Sequence, residues 1–153
     1  MAHEQVEILL VEDNPDDLEL ALHALRHGGL ANRVEVVRDG EEALEFLFCR
    51  GLYHNRNFAN PPRLVLLDLK LPKVDGLQVL QQLKGDARTR PIPVAILTAS
   101  REEQDLVKSY QLGVNSYIQK PVDFEQFRET VKQASLFWLV VNQAPPPAAF
   151  QEK

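Results

Sequence analysis

The sequence predicts an α/β fold, a five-stranded parallel sheet with helices on both faces. Two observations carry this prediction. Ile8–Val11, Leu64–Leu67 and Val94–Leu97 are short uninterrupted apolar blocks, as expected of strands buried on both sides. The segments between the blocks carry helix-start chemistry, so strands and helices alternate along the chain. Such alternation implies parallel strands joined by crossover helices.

The elements follow in order. Ile8–Val11 is the first strand. In Asn14-Pro15-Asp16-Asp17, Asn14 serves as an N-cap, Pro15 as the first helical residue, and the acids face the positive end of the helix dipole. Gly28-Gly29 provides a stop for this helix. Val34, Val36 and Val37 suggest the second strand, and Asp39 with Glu42 has capping-box spacing at the second helix. Arg50–Pro62 is a polar connection longer than the usual ~2–6 residues, either a functional loop or a tolerated insertion. The third helix stops near Gly85. Ser100 with Glu103 is spaced as a box for the fourth helix, which ends at Gly113. Tyr117-Ile118 is a short last strand, and Asp123 with Gln126 opens the last helix. The expected arrangement is a flavodoxin-like, doubly wound (βα)5 domain of order 2-1-3-4-5, with ligands at the carboxyl ends of strands one and three. It is expected to span residues 1–143, including an extended last helix. The Ala144–Ala149 stretch cannot continue a helix, so 144–153 is expected to be a disordered Pro/Ala-containing tail.

Composition narrows the function. The chain has 153 residues, with 17 Lys+Arg against 22 Asp+Glu, a formal net charge of −5. This suits one ordinary domain and argues against binding nucleic acid through a broad basic surface. The single cysteine, Cys49, permits no internal disulfide and fits a reducing, cytoplasmic setting. No apolar run approaches the ~20 residues that span a bilayer. No G-x-x-x-x-G-K-[ST], G-x-G-x-x-G or G-x-S-x-G motif is present, so nucleotide hydrolysis, dinucleotide binding and serine hydrolysis lack support.

If the sheet is parallel, the carboxyl ends of strands one, three, four and five share one edge. Glu12 and Asp13, Asp68, Thr98 and Lys120 stand there. Taken singly, each has a bland reading: a turn or cap aspartate, a strand threonine, a solvated lysine. Together they present a physical conflict. Carboxylates ~4 Å apart repel by about 4 kcal/mol per pair at an effective dielectric near 20. A hard divalent cation such as Mg²⁺, or Mn²⁺, relieves that conflict through oxygen ligands. A metal, an ammonium and a hydroxyl are the parts that hold a phosphoryl group, and a carboxylate is a competent nucleophile for one. Asp68 is the natural acceptor because it stands alone at the end of the central strand, whereas Glu12-Asp13 is a pair suited to metal.

Leu10-Val11-Glu12-Asp13-Asn14, Leu66–Pro72 around Asp68, Asp75-Gly76, Leu97-Thr98-Ala99 and Lys120-Pro121 resemble the receiver domain of two-component response regulators. The likeness runs from about Val6 to Val141, with the motifs in order and at compatible spacing. The insertion before strand three and the long last helix are similar to the stand-alone regulators that partner phytochromes. The resemblance implies that Asp68 receives a phosphoryl group from the phosphohistidine of a sensor histidine kinase, with a phytochrome-type kinase as a candidate. It implies Mg²⁺ ligation by Glu12, Asp13 and Asp68 with the backbone carbonyl of Lys70. Thr98 and Lys120 would contact the phosphoryl oxygens, and Tyr117 would report the change to the surface. Lys70 and Ser100 would tune hydrolysis, with Ser100 also capping helix four. The Lys120–Pro121 bond is one the family often holds in cis. Such a domain signals through its surface or through dimerisation. It is not an enzyme beyond its own phosphoryl transfer and hydrolysis. An alternative enzyme reading, a phosphatase with Asp68 as nucleophile, expects the nucleophile after strand one with a second acid two residues on. Glu12-Asp13-Asn14 lacks that spacing.

Two further features stand apart. His23 and His27 are spaced at i, i+4 but lack a third ligand at closing distance in the sequence, so a solvated helix face is expected. Leu136–Val141 is apolar all round and more than one face can bury. Phe137, Trp138 and Val141 are therefore candidates for a symmetric homodimer interface.

Overall fold

The structure, a computed structural model, describes residues 6–27, 33–121 and 123–150. Its sheet has five strands in the order β2-β1-β3-β4-β5, all pairs parallel. The strands are β1 (Ile8–Val11), β2 (Val34–Val37), β3 (Leu64–Leu67), β4 (Val94–Thr98) and β5 (Ser116–Gln119). The helices are α1 (Pro15–His27), α2 (Gly40–Leu47), α3 (Gly76–Gly85), α4 (Glu103–Gln111) and α5 (Phe124–Leu136). This is the predicted fold and strand order.

The strand pattern explains the layering. Every residue of β1, β3 and β4 is buried, because each strand has a sheet neighbour on both sides and helices above and below. Alternate side chains feed two cores. Leu9, Val11, Val65, Leu67 and Ile96 pack with Phe46, Leu80 and Leu83 from α2 and α3. Ile8, Leu10, Leu66 and Leu97 pack with Leu18 and Leu25 of α1 and Phe127 and Val131 of α5.

Local capping matches the sequence in most places. Asn14 Oδ1 accepts from the backbone N–H of Asp16 and Asp17, and Asp39 accepts from Glu42. Asp123 caps α5 through the N–H of Glu125. A full capping box joins Asp75 and Gln78 at α3. Helix α4 departs from expectation. It begins at Glu103 with Glu102 as its cap residue, and Ser100 bonds instead to the Asp105 carboxylate at 2.6 Å. Ser100 stands two residues before the cap position, so its hydroxyl accepts the Glu102 N–H, at 3.3 Å, and not those of the first turn. The expected stop at Gly28-Gly29 lies outside the described residues.

The expected tail is also different. Pro147–Phe150 form a 3₁₀ turn, and Phe150 is buried in the core with Phe48 and Ile92. The prolines prevent a helix, but they deliver an aromatic whose burial anchors the segment against Pro61, Pro62 and Pro93. After α5, Phe137–Val141 continue as a π-helical turn. Among the described residues no peptide bond is cis, so Lys120–Pro121 is trans, the form that X–Pro bonds favour by about 0.5–1 kcal/mol.

Candidate functional site

Register brings the site together. Val11 of β1 and Leu67 of β3 are paired, so the residues that follow them, Glu12 and Asp68, leave the sheet side by side. The Asp68 N–H donates to the Val11 carbonyl at 3.1 Å. On the other flank Thr98 pairs with Gln119, and the Lys120 N–H donates to the Thr98 carbonyl at 2.7 Å. The four strand ends predicted to share an edge therefore do so.

Glu12, Asp13 and Asp68 each present a carboxylate oxygen, all within 4.8 Å of one another. Glu12 and Asp68 are buried and Asp13 is exposed, which leaves one open side. Three converging oxygens with a solvent-facing member fit a hard divalent cation that retains waters, so the residues present suit Mg²⁺ or Mn²⁺. Lys120 Nζ lies 2.7 Å from Glu12 Oε1, 2.7 Å from Asp17 Oδ2 and 3.0 Å from Asp68 Oδ2. Three carboxylates thus contact a single ammonium, with Asp13 close by, and the site is strongly electronegative.

Protonation follows from this crowding. Burial pushes the Glu12 carboxyl up to about 7, with the Lys120 hydrogen bond pulling it back and the Asp68 charge adding to the rise. Burial opposes the charge on Lys120, but the hydrogen bonds to Asp17 and Glu12 and the Asp68 charge outweigh it and raise its pKa. The ammonium form of Lys120 is therefore favoured.

Supporting groups fix Asp68. Asp68 Oδ1 accepts from the Lys70 N–H at 3.2 Å. Gly76 opens α3 directly against the Asp68 carbonyl and Leu69 Cα, and donates its N–H to the Leu69 carbonyl at 2.8 Å. A Cβ there would overlap that backbone, so the glycine is required for close approach. Thr98 is fully buried, and its hydroxyl accepts from the Ser100 N–H at 3.3 Å. Tyr117 is half-buried and donates its hydroxyl to the Ser100 carbonyl at 3.4 Å. The Lys70 ammonium stands 3.6 Å from Asp105 Oδ2.

Sequence reasoning missed Asp17 and Asp105. The sequence relates Asp17 to the helix dipole alone. The segment's one further signal was a second acid, a turn beyond Glu12-Asp13, on a helix leaving the same strand end. Both rings of the histidine pair are exposed, 4.5 Å apart between centroids. Of the proposed interface residues, Phe137 and Val141 are exposed at 47% and 66%. Trp138 differs: it packs against the core formed with α1 and α5, because its place on the π turn faces inward.

Comparison with known proteins agrees with this geometry. The response regulator receiver domain family matches residues 8–132. The structure of the bacteriophytochrome response regulator AtBRR is 57% identical, covers 92% of this chain and all of its own, and superposes with a TM-score of 0.71. The phosphorylated cyanobacterial phytochrome response regulator RcpA is 41% identical over 93% of this chain and 99% of its own, with a TM-score of 0.86. Response regulator Rcp1 of Synechocystis sp. was solved in a Mn²⁺-bound form. That form is 37% identical over 93% of this chain and 99% of its own, with a TM-score of 0.85.

Proposed function

Since the chain belongs to the response regulator receiver family, we propose that Asp68 accepts a phosphoryl group from the phosphohistidine of a sensor histidine kinase. The observation that carries this reading is the convergence of Glu12, Asp13, Asp68 and Lys120 at one sheet edge. An Asp68 oxygen forms the new bond to phosphorus. The bond from phosphorus to the imidazole nitrogen breaks, and that nitrogen keeps the electron pair. Glu12, Asp13 and Asp68, with the Lys70 carbonyl, would hold a Mg²⁺ or Mn²⁺ ion, which would neutralise charge on the phosphoryl oxygens. Lys120 leaves Asp17 and Glu12 in part to pair with a phosphoryl oxygen, and Thr98 donates its hydroxyl to another. Hydrolysis of the aspartyl phosphate returns the domain to its starting state, the only turnover it carries out.

The output arises from the same residues. Phosphorylation replaces a carboxylate by a group of about −1.5 to −2 charge. Thr98 is tied through the Ser100 segment to the Tyr117 hydroxyl, so movement of Thr98 toward the phosphoryl group moves what Tyr117 rests on. The cleft of Ser100–Glu103, Leu106, Tyr117 and Gln119 is then reshaped. This is a population shift at a surface, with no nucleic acid contacted directly. The exposed Leu136, Phe137, Val140 and Val141 form an apolar patch that suits a homodimer contact, with Trp138 beneath them as support. No helix among the described residues is long and apolar enough to cross a membrane. The reading carries a cytoplasmic location with it, as the side on which such a kinase would meet its partner.

Phosphotransfer profiling against purified sensor kinases, phytochrome-type kinases included, tests the reading at short times. One kinase is expected to label wild type far faster than the others and to leave Asp68→Asn unlabelled. Labelling of Asp68→Asn at the wild-type rate would place the acceptor elsewhere.

A further inference from the structure

The two residues that stand two positions beyond Asp68 and Thr98 are Lys70 and Ser100, and both are held by one side chain. Asp105, in the first turn of α4, is largely buried, with 12% of its side chain exposed. Its Oδ2 accepts the Ser100 hydroxyl at 2.6 Å and lies 3.6 Å from the Lys70 ammonium. Its backbone carbonyl accepts the Ser109 hydroxyl at 2.7 Å, which fixes the residue within the helix. Asp105, Lys70 and Asp13 line a cavity of about 460 Å³ beside the acceptor. The Lys70 side chain itself is 66% exposed, and among the described residues its ammonium is paired with Asp105 on the α4 side of this cavity.

We infer that Asp105 is a positioning residue that sets the lifetime of the phosphoryl group by holding the Lys70 ammonium on the α4 side of the cavity. This rests on the reading of Asp68 as acceptor. Hydrolysis requires a water oxygen to bond to phosphorus as the bond to the Asp68 oxygen breaks. Asp68 departs as a carboxylate with the electron pair, and the water proton passes to the phosphate or to solvent. Water reaches phosphorus through open space beside the site. An ammonium drawn into that space by a phosphoryl dianion pairs with its oxygens and stands in the path of the water. The carboxylate of Asp105 competes for the same ammonium, keeps the path open and so shortens the lifetime. Because Asp105 belongs to α4, the position of that helix and the hydrolysis rate become linked.

The test is a double-mutant cycle on the full chain. Wild type, Asp105→Asn, Lys70→Ala and the double variant are labelled with acetyl phosphate and Mg²⁺. The donor is then removed with Mg²⁺ retained, and loss of the phosphoryl group is timed. Asp105→Asn is expected to lengthen the lifetime about three- to fivefold, the scale an ion pair with one exposed partner supplies. In the Lys70→Ala background the same change is expected to fall within about twofold, because the partner it acts through is gone. Asp105→Glu, which restores the charge, is expected to restore the wild-type lifetime. An equal effect in both backgrounds, a shortened lifetime or no effect would overturn the inference while leaving Asp68 as acceptor. Absence of any labelling in wild type would overturn the acceptor reading and this inference with it. Should Asp105→Asn not fold, Ser100→Ala frees the same carboxylate from its anchor. It is expected to lengthen the lifetime only when Lys70 is present, and equal effects with and without Lys70 overturn the inference.

Discussion

Replacing Lys120 by methionine keeps most of the side chain's length and removes only its charge and donors. In the native site the Nζ contacts carboxylates of Glu12, Asp17 and Asp68 at 2.7, 2.7 and 3.0 Å, with just 7% of the lysine side chain exposed. Glu12 and Asp68 are equally enclosed, so their charges are left facing each other with little water between them. Removing one partner from a buried ionic cluster costs about 3–5 kcal/mol. That is a large part of the ~5–15 kcal/mol that holds a domain of this size together. The Lys120→Met variant is therefore expected to unfold about 3–5 kcal/mol more easily in urea at pH 8 without divalent cation. Mg²⁺ at a hundred times its dissociation constant stabilises a folded state that binds it by about 2.7 kcal/mol, and it is expected to close most of the gap. A variant within ~1 kcal/mol of wild type in the absence of Mg²⁺ would refute the view that Lys120 neutralises this site.

Other parts of the account are equally open to measurement. Gly76→Ala forces a methyl group against the Asp68 carbonyl, so it should lose about 1–3 kcal/mol in denaturant unfolding. Its labelling by acetyl phosphate should also slow, by up to about a hundredfold if the acceptor moves by ~1 Å, and an unchanged rate would count against this role. Phe150→Ala should lower unfolding free energy by about 2 kcal/mol, below the ~3–5 kcal/mol of a central core site because a terminal segment is free to detach. An unaltered stability would show that the tail does not dock. Burial pushes Lys84 down to about 8 while its Nζ donates to the carbonyls of Arg90 and Ile92. A lysine whose folded pKa lies below its unfolded value of ~10.4 binds fewer protons when folded, so stability rises with pH between the two values. Wild type should thus gain about 1–2 kcal/mol on Lys84→Met between pH 7 and 9.5, and a flat difference would contradict it.

Much of the fold was legible because its signals are local. The apolar blocks of β1, β3 and β4 announce strands buried on both faces, and Asn14, Asp39 and Asp123 announce helix starts through bonds to their own neighbours. The carboxylate edge was legible for a related reason: a parallel sheet delivers every residue after a strand to the same side. What stayed hidden depends on contacts between distant segments. Asp17 meets Lys120 across 103 positions, and nothing in the first turn of α1 encodes that meeting. Asp105 has meaning only once α4 lies beside the loop carrying Lys70. Ser100 misled through correct spacing, since the helix starts three residues beyond it. The proline run of the tail specifies an extended backbone, but the aromatic at its end finds a place in the core that only the folded sheet creates.

The central claim is that Asp68 is the phosphoryl acceptor of a metal-dependent site. Its most direct test is peptide mapping of the hydroxylamine-labile phosphoryl group after brief exposure of the full chain to acetyl phosphate, with and without Mg²⁺. The account predicts a single modified carboxylate at Asp68, formed only with Mg²⁺ and lost in Asp68→Asn. Label on another residue, or equal label without divalent cation, would contradict it.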